Sequence, residues 1–257
     1  MKRFCFTVDD NIRFFKELTH GDFPSLFDHP YLAVFKRLHD AFGLKVQLNL
    51  FYKTDGFDLT AMTDRYESEW AANAHWLKLS FHSERENIEP YKDSDYDEVF
   101  AHCSAVNREI LRFAGASSLA ETTTVHYCLA TEEGLCALSD NGVTGLLGLY
   151  GSPEAPRSSY QSSPDECEAL RGGEVVCRGG ISYGAIDIVL NSFSKEDILA
   201  QLKSLTNRTQ IRVMIHEQYF YKDYKWYQPD FEEKLRQTFA FLTEHGYESR
   251  FFQEMIR

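Results

Sequence analysis

Two adjacent carboxylates, Asp9 and Asp10, directly follow the strand-like segment Arg3–Val8. Two like charges side by side raise the pKa of one of the acids, so the pair needs a compensating positive charge. A divalent cation supplies that charge, with one aspartate as its ligand and the other free as a base. A structural alternative remains open, because Asp10 or Asn11 could cap the helix that follows.

Two histidines occupy similar places in the sequence, since His82 and His216 each follow a strongly apolar run. Glu86 lies four residues after His82, and residues at that spacing share one face of a helical turn. A neutral imidazole and a carboxylate are suitable ligands for Zn²⁺ or a similar ion. Alternatively, His82 only ends a strand and residues 83–86 form a solvated loop.

Two further polar residues lie near the ends of apolar segments, Glu217 directly after His216 and His126 in the segment Thr122–Leu129. Active sites of parallel barrels lie at the carboxyl ends of the strands, so both residues are site candidates. His126 could equally be a hydrogen-bonded core histidine, and the sequence leaves that choice open.

The elements that must position these residues alternate between short apolar runs and amphipathic stretches. Runs that are apolar on nearly every residue are typical of strands buried on both faces. Strand–helix alternation repeated seven or eight times favours a parallel sheet. The sequence therefore predicts an α/β fold, a seven- or eight-stranded parallel (β/α) barrel of the distorted TIM-like kind, with residues 1–257 as one domain. The predicted strands are Arg3–Val8, Lys45–Tyr52, Leu77–Phe81, Thr122–Leu129, Val143–Tyr150, Tyr183–Leu190, Ile211–Ile215 and Glu248–Phe252. The predicted helices are Asn11–Phe15, Tyr31–Ala41, Asp58–Asn73, Asp95–Phe113, Glu132–Ser139, Lys195–Leu205 and Asp230–His245.

Two segments depart from this alternation. Residues 151–180 are rich in proline, serine and glycine, which predicts an inserted loop with a hairpin near Glu174–Arg178. Such an insertion after a barrel strand is either a lid or binding wall, or a surface loop. Residues 219–227 are rich in aromatic side chains, which could stack on sugar rings or pack against the insertion.

The composition limits the classes of partner. The chain of 257 residues has a formal net charge of −12, whereas nucleic acids and anionic membranes require a basic surface, so neither partner is expected. The first apolar stretch is too short for a secretory signal and no run approaches a membrane span. The six cysteines form no CxxC pair, so reduced thiols and a cytoplasmic location are expected.

Three segments together resemble the motifs of the polysaccharide deacetylase (NodB-homology) superfamily, which consists of metal-dependent hydrolases with a distorted seven-stranded barrel. The three segments are Phe6–Asn11, His82–Glu86 and Val213–His216. The resemblance implies that Asp9 is the general base, that Asp10 is a metal ligand, and that His216 is the general acid that protonates the leaving group.

The resemblance is that of a distant member with an altered metal motif. The family places a second histidine ligand four residues after the first, and Glu86 occupies that position here. The family's arginine-containing motif has no counterpart, because Val125–Cys128 occupies that region. The implied ligands are Asp10, His82 and Glu86, and the implied cofactor is a divalent ion, zinc first, with nickel, cobalt or manganese as alternatives.

The expected function is that of a metal-dependent hydrolase that removes an acyl group from an amide (C–N) or ester bond. Its partner would be a carbohydrate-like small molecule or oligosaccharide, and the oligomeric state stays open. The side chains expected to contact the substrate are His126, Glu217, Tyr219 and Trp226. A non-catalytic barrel that binds a carbohydrate or other polar ligand is the main alternative. A glycoside hydrolase that uses Glu217 with Glu132 or Glu133 is a further one.

Overall fold

The computed structural model describes residues 1–86, 91–151 and 157–256. Within these ranges the chain alternates strands and helices along most of its length. The strands are β1 (Lys2–Asn11), β2 (Val46–Phe51), β3 (Lys53–Thr54), β4 (Phe57–Asp58), β5 (Leu77–Ser83), β6 (Thr122–Thr123), β7 (Gly145–Gly148), β8 (Val175–Arg178), β9 (Ile181–Ala185), β10 (Ile188–Val189), β11 (Gln210–His216) and β12 (Tyr247–Ser249). The helices are α1 (Arg13–His20), α2 (Pro30–Phe42), α3 (Glu67–Asn73), α4 (Tyr96–Ala114), α5 (Glu132–Asp140), α6 (Pro164–Arg171), α7 (Lys195–Ser204) and α8 (Phe231–Glu244).

The larger sheet is parallel and has the strand order β10-β11-β1-β2-β5, with β12 beside the start of β1. The register of β1 on β11 runs from Arg3 opposite Gln210 to Asp9 opposite His216. Because β2 and β5 also run parallel to β1, the carboxyl ends of these strands lie at one edge. The fold therefore brings Asp9, His216 and the end of β5 to the same end of the sheet.

The second sheet has the order β6-β7-β9-β8, in which β8 is antiparallel to β9. It meets the larger sheet at two places. On one side the Ala120 N–H donates to the Leu79 carbonyl (2.8 Å). On the other side the chain of β9 continues into β10, which pairs with β11. The described strands thus fall into two sheets around one core. The α/β fold with a parallel central sheet is confirmed, and closure into a seven- or eight-stranded barrel stays a prediction.

Apolar faces of the helices cover the outside of the larger sheet. Helix α2 begins with Pro30 after the cap His29, and it ends before Gly43, whose φ of 64° suits a glycine at this position. Phe239 of α8 packs against Phe4 and Phe6 of β1, with ring centroids 5.6 and 4.9 Å apart. None of the helices in the described ranges is long and apolar enough to span a membrane.

The opposite face of the same strands is buried and yet polar. The Asn49 side chain donates to Asp9 Oδ1 (2.6 Å) and its Oδ1 accepts from Ser80 Oγ (2.5 Å) and Gln47 Nε2 (2.8 Å). Gln47 in turn accepts from Thr122 Oγ1 (3.0 Å). Buried polar groups are stable when they are hydrogen-bonded to one another. This network therefore gives Asp9 a fixed place inside the fold.

One predicted strand is mostly wrong. The segment Thr122–Leu129 forms a strand only at Thr122–Thr123, after which the chain makes a turn at residues 126–128. Tyr127 and Cys128 have φ angles of 61° and 59° in this turn, and two successive positive φ values are incompatible with a regular β-strand. The apolar pattern of the segment reflects burial of both faces, and it carries no signal for the turn.

Two other predictions need correction. The predicted helix Asp58–Asn73 begins only at Glu67. Residues 151–180 contain an unpredicted helix, α6, although the predicted hairpin is confirmed by the pairing of β8 with β9. Residues 152–156 of this insertion lie outside the described part of the chain.

Candidate metal centre

Asp10 lies at an irregular point of β1. Its φ is 64°, and the register between β1 and β2 shifts between Val8 and Asn11. Successive side chains of a strand point to opposite faces, and a bulge changes the direction of one of them. Aspartate is among the few residues that tolerate this left-handed conformation. The local irregularity therefore allows two adjacent aspartates to serve the same end of the sheet.

Asp10 lies between two imidazoles. His82 Nε2 is 3.0 Å and His126 Nδ1 is 3.4 Å from Asp10 Oδ1, and the two ring nitrogens are 3.2 Å apart. Among the described residues, these three side chains are the group whose ligand atoms converge closely enough to hold a metal ion. Separations of this size suit an ion that bonds nitrogen and oxygen at about 2.0–2.2 Å.

The other nitrogen of each imidazole faces a backbone carbonyl. His82 Nδ1 lies 2.5 Å from the Thr124 oxygen and His126 Nε2 lies 3.2 Å from the Glu86 oxygen. A carbonyl accepts a proton, so each of these nitrogens is the N–H donor, and the nitrogen facing Asp10 has a lone pair. Three acceptor atoms then converge without a donor between them. This is the arrangement of metal-binding histidines oriented by carbonyl partners, and it fits a divalent cation.

The electrostatics favour the ligand forms of these groups. Burial raises the pKa of Asp10, but the neighbouring His126 and His82 imidazoles and His216, in their protonated forms, outweigh the effect of burial, and the pKa lies well below its usual value. Burial lowers the pKa of His82, partly opposed by Asp10. An ionised carboxylate and a neutral imidazole are the forms that bind metal.

Glu86, the ligand expected from the sequence, is not part of this group. Its side chain is exposed, and it contributes a backbone carbonyl to His126. The third candidate ligand is His126, which the sequence suggested as a substrate contact. The spacing argument fails because residues 84–86 do not form a helical turn. The sequence signal for His126 was its position within or near the end of an apolar, strand-like segment.

The two residues expected to transfer protons lie side by side at the ends of β1 and β11. Burial, together with the neighbouring Asp10 charge, raises the pKa of Asp9 well above its usual value, although Asn49 donates to Asp9. His216 Nδ1 lies 2.8 Å from Asn191 Oδ1. An amide oxygen is an acceptor, so His216 Nδ1 has the proton and Nε2 is left with a lone pair. Burial lowers the pKa of His216.

A glutamine that the sequence analysis missed also supports the centre. Gln218 Nε2 donates to Asp10 Oδ2 (2.6 Å). The two oxygens of Asp10 thus have different partners, since Oδ1 faces the imidazoles. Fixing a ligand through its second oxygen is a usual means of orienting a metal-binding carboxylate. No residue spacing in the sequence indicates this contact.

A cleft of about 730 Å³ opens from Asp10, and Phe51, Glu86, Gln218 and Tyr224 are among its lining residues. Its rim carries charges of both signs, at Arg13, Lys16, Glu17, Lys53, Asp55, Arg85 and Asp223.

Two aromatic residues expected to contact substrate are not among the lining residues of this cleft. The ring of Tyr219 lies beside His216, with centroids 6.2 Å apart, and that of Trp226 is 56% exposed. Tyr224, which does line the cleft, packs against both of them. The aromatic stretch therefore reaches the cleft through Tyr224.

Glu217 is used inside the fold. It is fully buried, and its carboxylate accepts the N–H groups of Ile12 (2.7 Å), Arg13 (2.9 Å) and Phe14 (2.9 Å) at the start of α1. Burial raises the pKa of Glu217 to about 7, and the three N–H donors oppose that shift. Glu217, rather than Asp10 or Asn11, thus caps α1. Glu132, one of the two partners named for Glu217 in the glycoside hydrolase alternative, lines a cavity of which Glu217 is not a lining residue.

We expect Glu217→Gln to lower the free energy of unfolding by about 1–3 kcal/mol, because the amide nitrogen of glutamine cannot accept an N–H and leaves a buried donor unpaired. Urea denaturation measures the change. Glu232→Gln is the matched control, since it removes only the exposed ion pair with Arg37, which is worth about 0–1 kcal/mol. Equal stability of both variants would show that Glu217 is not a cap.

No family model matches the chain, and no curated protein matches its sequence. Solved structures do match its fold. A family 4 acetyl xylan esterase from Clostridium thermocellum in complex with a cobalt ion matches with a TM-score of 0.54 at 13% identity, over 99% of this chain and 90% of the esterase. A Streptococcus mutans CE4 esterase matches with a TM-score of 0.50 at 11% identity, over 97% and 85%. A 4-alpha-glucanotransferase from Thermococcus litoralis matches with a TM-score of 0.62 at 13% identity, over 100% of this chain and 40% of the transferase.

These comparisons define the fold. CE4 esterases belong to the polysaccharide deacetylase superfamily, so the resemblance inferred from the motifs is confirmed at the level of the fold. The match to a glucanotransferase shows that a similar fold also accompanies a different chemistry. Function therefore has to be argued from the site, not from the fold.

Proposed function

We propose that this protein is a metal-dependent hydrolase of the polysaccharide deacetylase type, which removes an acyl group from an amide or ester bond of a carbohydrate-like substrate. The observation that supports this most strongly is the convergence of Asp10 Oδ1, His82 Nε2 and His126 Nδ1 as three acceptor atoms, of which the Asp10 side chain also lines an open cleft. Three protein ligands are typical of catalytic zinc sites, which keep a further position open.

The proposed ligands are Asp10, His82 and His126, and the proposed ion is zinc, with cobalt, nickel or manganese as alternatives. When bound, a divalent ion polarises the carbonyl under attack and makes water more acidic. Gln218 donates a hydrogen bond to Asp10, and backbone carbonyls accept from both imidazoles. These contacts would hold the three ligand atoms in place before an ion binds.

Asp9 and His216 would transfer the protons. Asp9 lies opposite His216 in the register of β1 on β11, and it would be the general base that deprotonates the attacking water. Asn191 fixes the tautomer of His216 and leaves Nε2 for exchange with the leaving group. Once protonated there, His216 can donate to a departing amine or alcohol.

We propose a small molecule or an oligosaccharide as the substrate. The cleft is large enough for one or more sugar rings, and Tyr224 offers a ring on which a sugar could stack, with Tyr219 and Trp226 further out. We further propose that residues 1–257 form one domain that acts in the cytoplasm. The six cysteines are all free, four of them buried, as suits a reducing compartment.

The test combines metal analysis with an assay. Protein purified without chelator is expected to contain close to one equivalent of a transition metal, and the double variant Asp10→Ala, His82→Ala is expected to contain none. Acetate release is then measured from O-acetylated xylo-oligosaccharides and from N-acetylglucosamine oligomers. Acetate release by the wild type but not by the double variant supports the proposed hydrolase activity. The relative rates on the two substrates show whether the enzyme prefers an ester or an amide bond.

Two outcomes would contradict this function. Metal that persists in the double variant would remove the ligand assignment. Stoichiometric metal and tight oligosaccharide binding without any acetate release would favour the non-catalytic binding barrel.

A further inference from the structure

Backbone strain in this protein is concentrated around the candidate metal centre. Five non-glycine residues of the described chain have a positive φ, namely Asp10, Tyr127, Cys128, Tyr160 and Gln161. The first is a candidate ligand and the next two directly follow the candidate ligand His126. Such conformations are unfavourable for residues with a Cβ, and they persist only where the surroundings hold them.

The two strained pairs are in contact with each other. The Tyr160 N–H donates to the Cys128 carbonyl (3.3 Å). The Tyr160 hydroxyl accepts from the Val125 N–H (3.1 Å) and donates to the Leu147 carbonyl (2.8 Å). Tyr160 is fully buried. It is therefore hydrogen-bonded to Val125 and to Cys128, which are the two ends of the turn that contains His126.

The segment that contains Tyr160 is itself firmly attached to the second sheet. Ser159 Oγ accepts from the Leu149 N–H (2.9 Å) and donates to the Leu149 carbonyl (2.8 Å). A Cβ at Gly148 would lie only 2.7 Å from the Ser159 Cβ, so glycine is required for this close packing. Arg178 of β8 donates to the Tyr160 carbonyl (2.5 Å). Contacts with β7 and with the β8–β9 hairpin thus fix the position of Tyr160.

We propose that Tyr160 is a positioning residue for the metal centre, which holds the turn 125–128 so that His126 Nδ1 faces Asp10 and His82. The described part of the insertion then acts as a support for a ligand, whereas the sequence suggested a lid or a surface loop. This role rests on the metal-binding part of the proposed function, and it is independent of the substrate and of the acyl-transfer step.

The physical reason is the strain in the turn. Without the hydroxyl, the Val125 N–H and the Leu147 carbonyl lose their partner, and Tyr127 and Cys128 are free to relax towards ordinary φ values. His126 would then move away from the acceptor pair formed by Asp10 and His82. Loss of a residue that orients a metal ligand typically weakens binding by about 10–100-fold.

The test compares Tyr160→Phe with Tyr247→Phe. Tyr247 is the matched control because its buried hydroxyl also bonds backbone carbonyls, those of Leu205 and Arg208, at the opposite end of the sheet. Both variants keep their ring and are expected to show a similar fall in the urea midpoint. Only Tyr160→Phe is expected to weaken Zn²⁺ and Co²⁺ binding in calorimetry, by about 10–100-fold, and to alter the visible absorption of bound Co²⁺.

A double-mutant cycle separates positioning from general destabilisation. If Tyr160 acts through His126, then Tyr160→Phe is expected to have no further effect on metal affinity in a His126→Ala background. Equal losses of affinity in both backgrounds, or equal affinities of wild type and Tyr160→Phe, would overturn the positioning role while the metal site stands. A wild-type protein that binds no ion would overturn both the positioning role and the proposed function.

Discussion

Replacement of His126 by alanine is expected to weaken divalent-metal binding by more than about 100-fold, the upper range for loss of a residue that merely orients a ligand. His126 Nδ1 is one of only three acceptor atoms that converge among the described residues. Alanine leaves Asp10 and His82, and two ligands bind transition ions poorly under competition from water. Calorimetric titration of metal-free protein with Zn²⁺ and Co²⁺ measures the loss.

Glu86→Ala is the matched control for this prediction. Its affinity is expected to equal that of wild type, because Glu86 contributes only a backbone carbonyl to His126, and that carbonyl remains in alanine. The two variants therefore distinguish the ligand set proposed from the structure, which includes His126, from the set expected from motif spacing, which includes Glu86. Strong binding by His126→Ala together with weak binding by Glu86→Ala would restore Glu86 as the ligand.

Asp9→Asn is expected to reduce kcat/KM for acyl hydrolysis by a factor on the order of 10²–10⁴, which is the usual contribution of a general base. The asparagine oxygen can still accept the Asn49 N–H, so the fold around it is retained, but the amide cannot accept a proton. Steady-state acetate release measures the rate, and elemental analysis confirms that the metal content equals that of wild type.

Asp223→Asn provides the comparison for Asp9→Asn. Asp223 also lines the cleft, but it is exposed and pairs with Arg13, so a modest change in rate is expected. A metal-loaded Asp9→Asn enzyme that turns over at the wild-type rate would exclude Asp9 as the base, and it would leave His216 as the main proton-transfer group.

The sequence was sufficient to predict which strand ends meet. Asp9, Asp10, His82 and His216 each follow an apolar run, and runs buried on both faces pair in a parallel register that places their carboxyl ends together. The structure has this arrangement in β1, β5 and β11. These predictions succeeded because they depend on burial, which hydrophobic patterning reports directly.

The third candidate ligand could not be predicted in the same way. The turn that contains His126 has positive φ angles at Tyr127 and Cys128, and its two ends are hydrogen-bonded to Tyr160, far along the chain. Local patterning contains no signal for such contacts. The choice of Glu86 assumed a helical turn after His82, and the chain does not form one there. The hydrogen bonds of Glu217 could not be predicted for a related reason, because its three partners lie at the start of α1, 203–205 residues earlier in the chain.

The candidate ligands come from two different sheets, so a bound ion would connect the sheets. Asp10 and His82 belong to the larger sheet, whereas His126 follows β6 of the smaller one. A bound ion would add a coordinate cross-link between the two sheets, which are joined on that side by the Ala120–Leu79 backbone hydrogen bond and by side-chain hydrogen bonds such as that of Thr122 to Gln47. Part of its binding free energy would then be free energy of folding. During unfolding, the metal-bound protein would resist separation of the two sheets more than the metal-free protein does. Unfolding within the core of each sheet would differ less between the two forms.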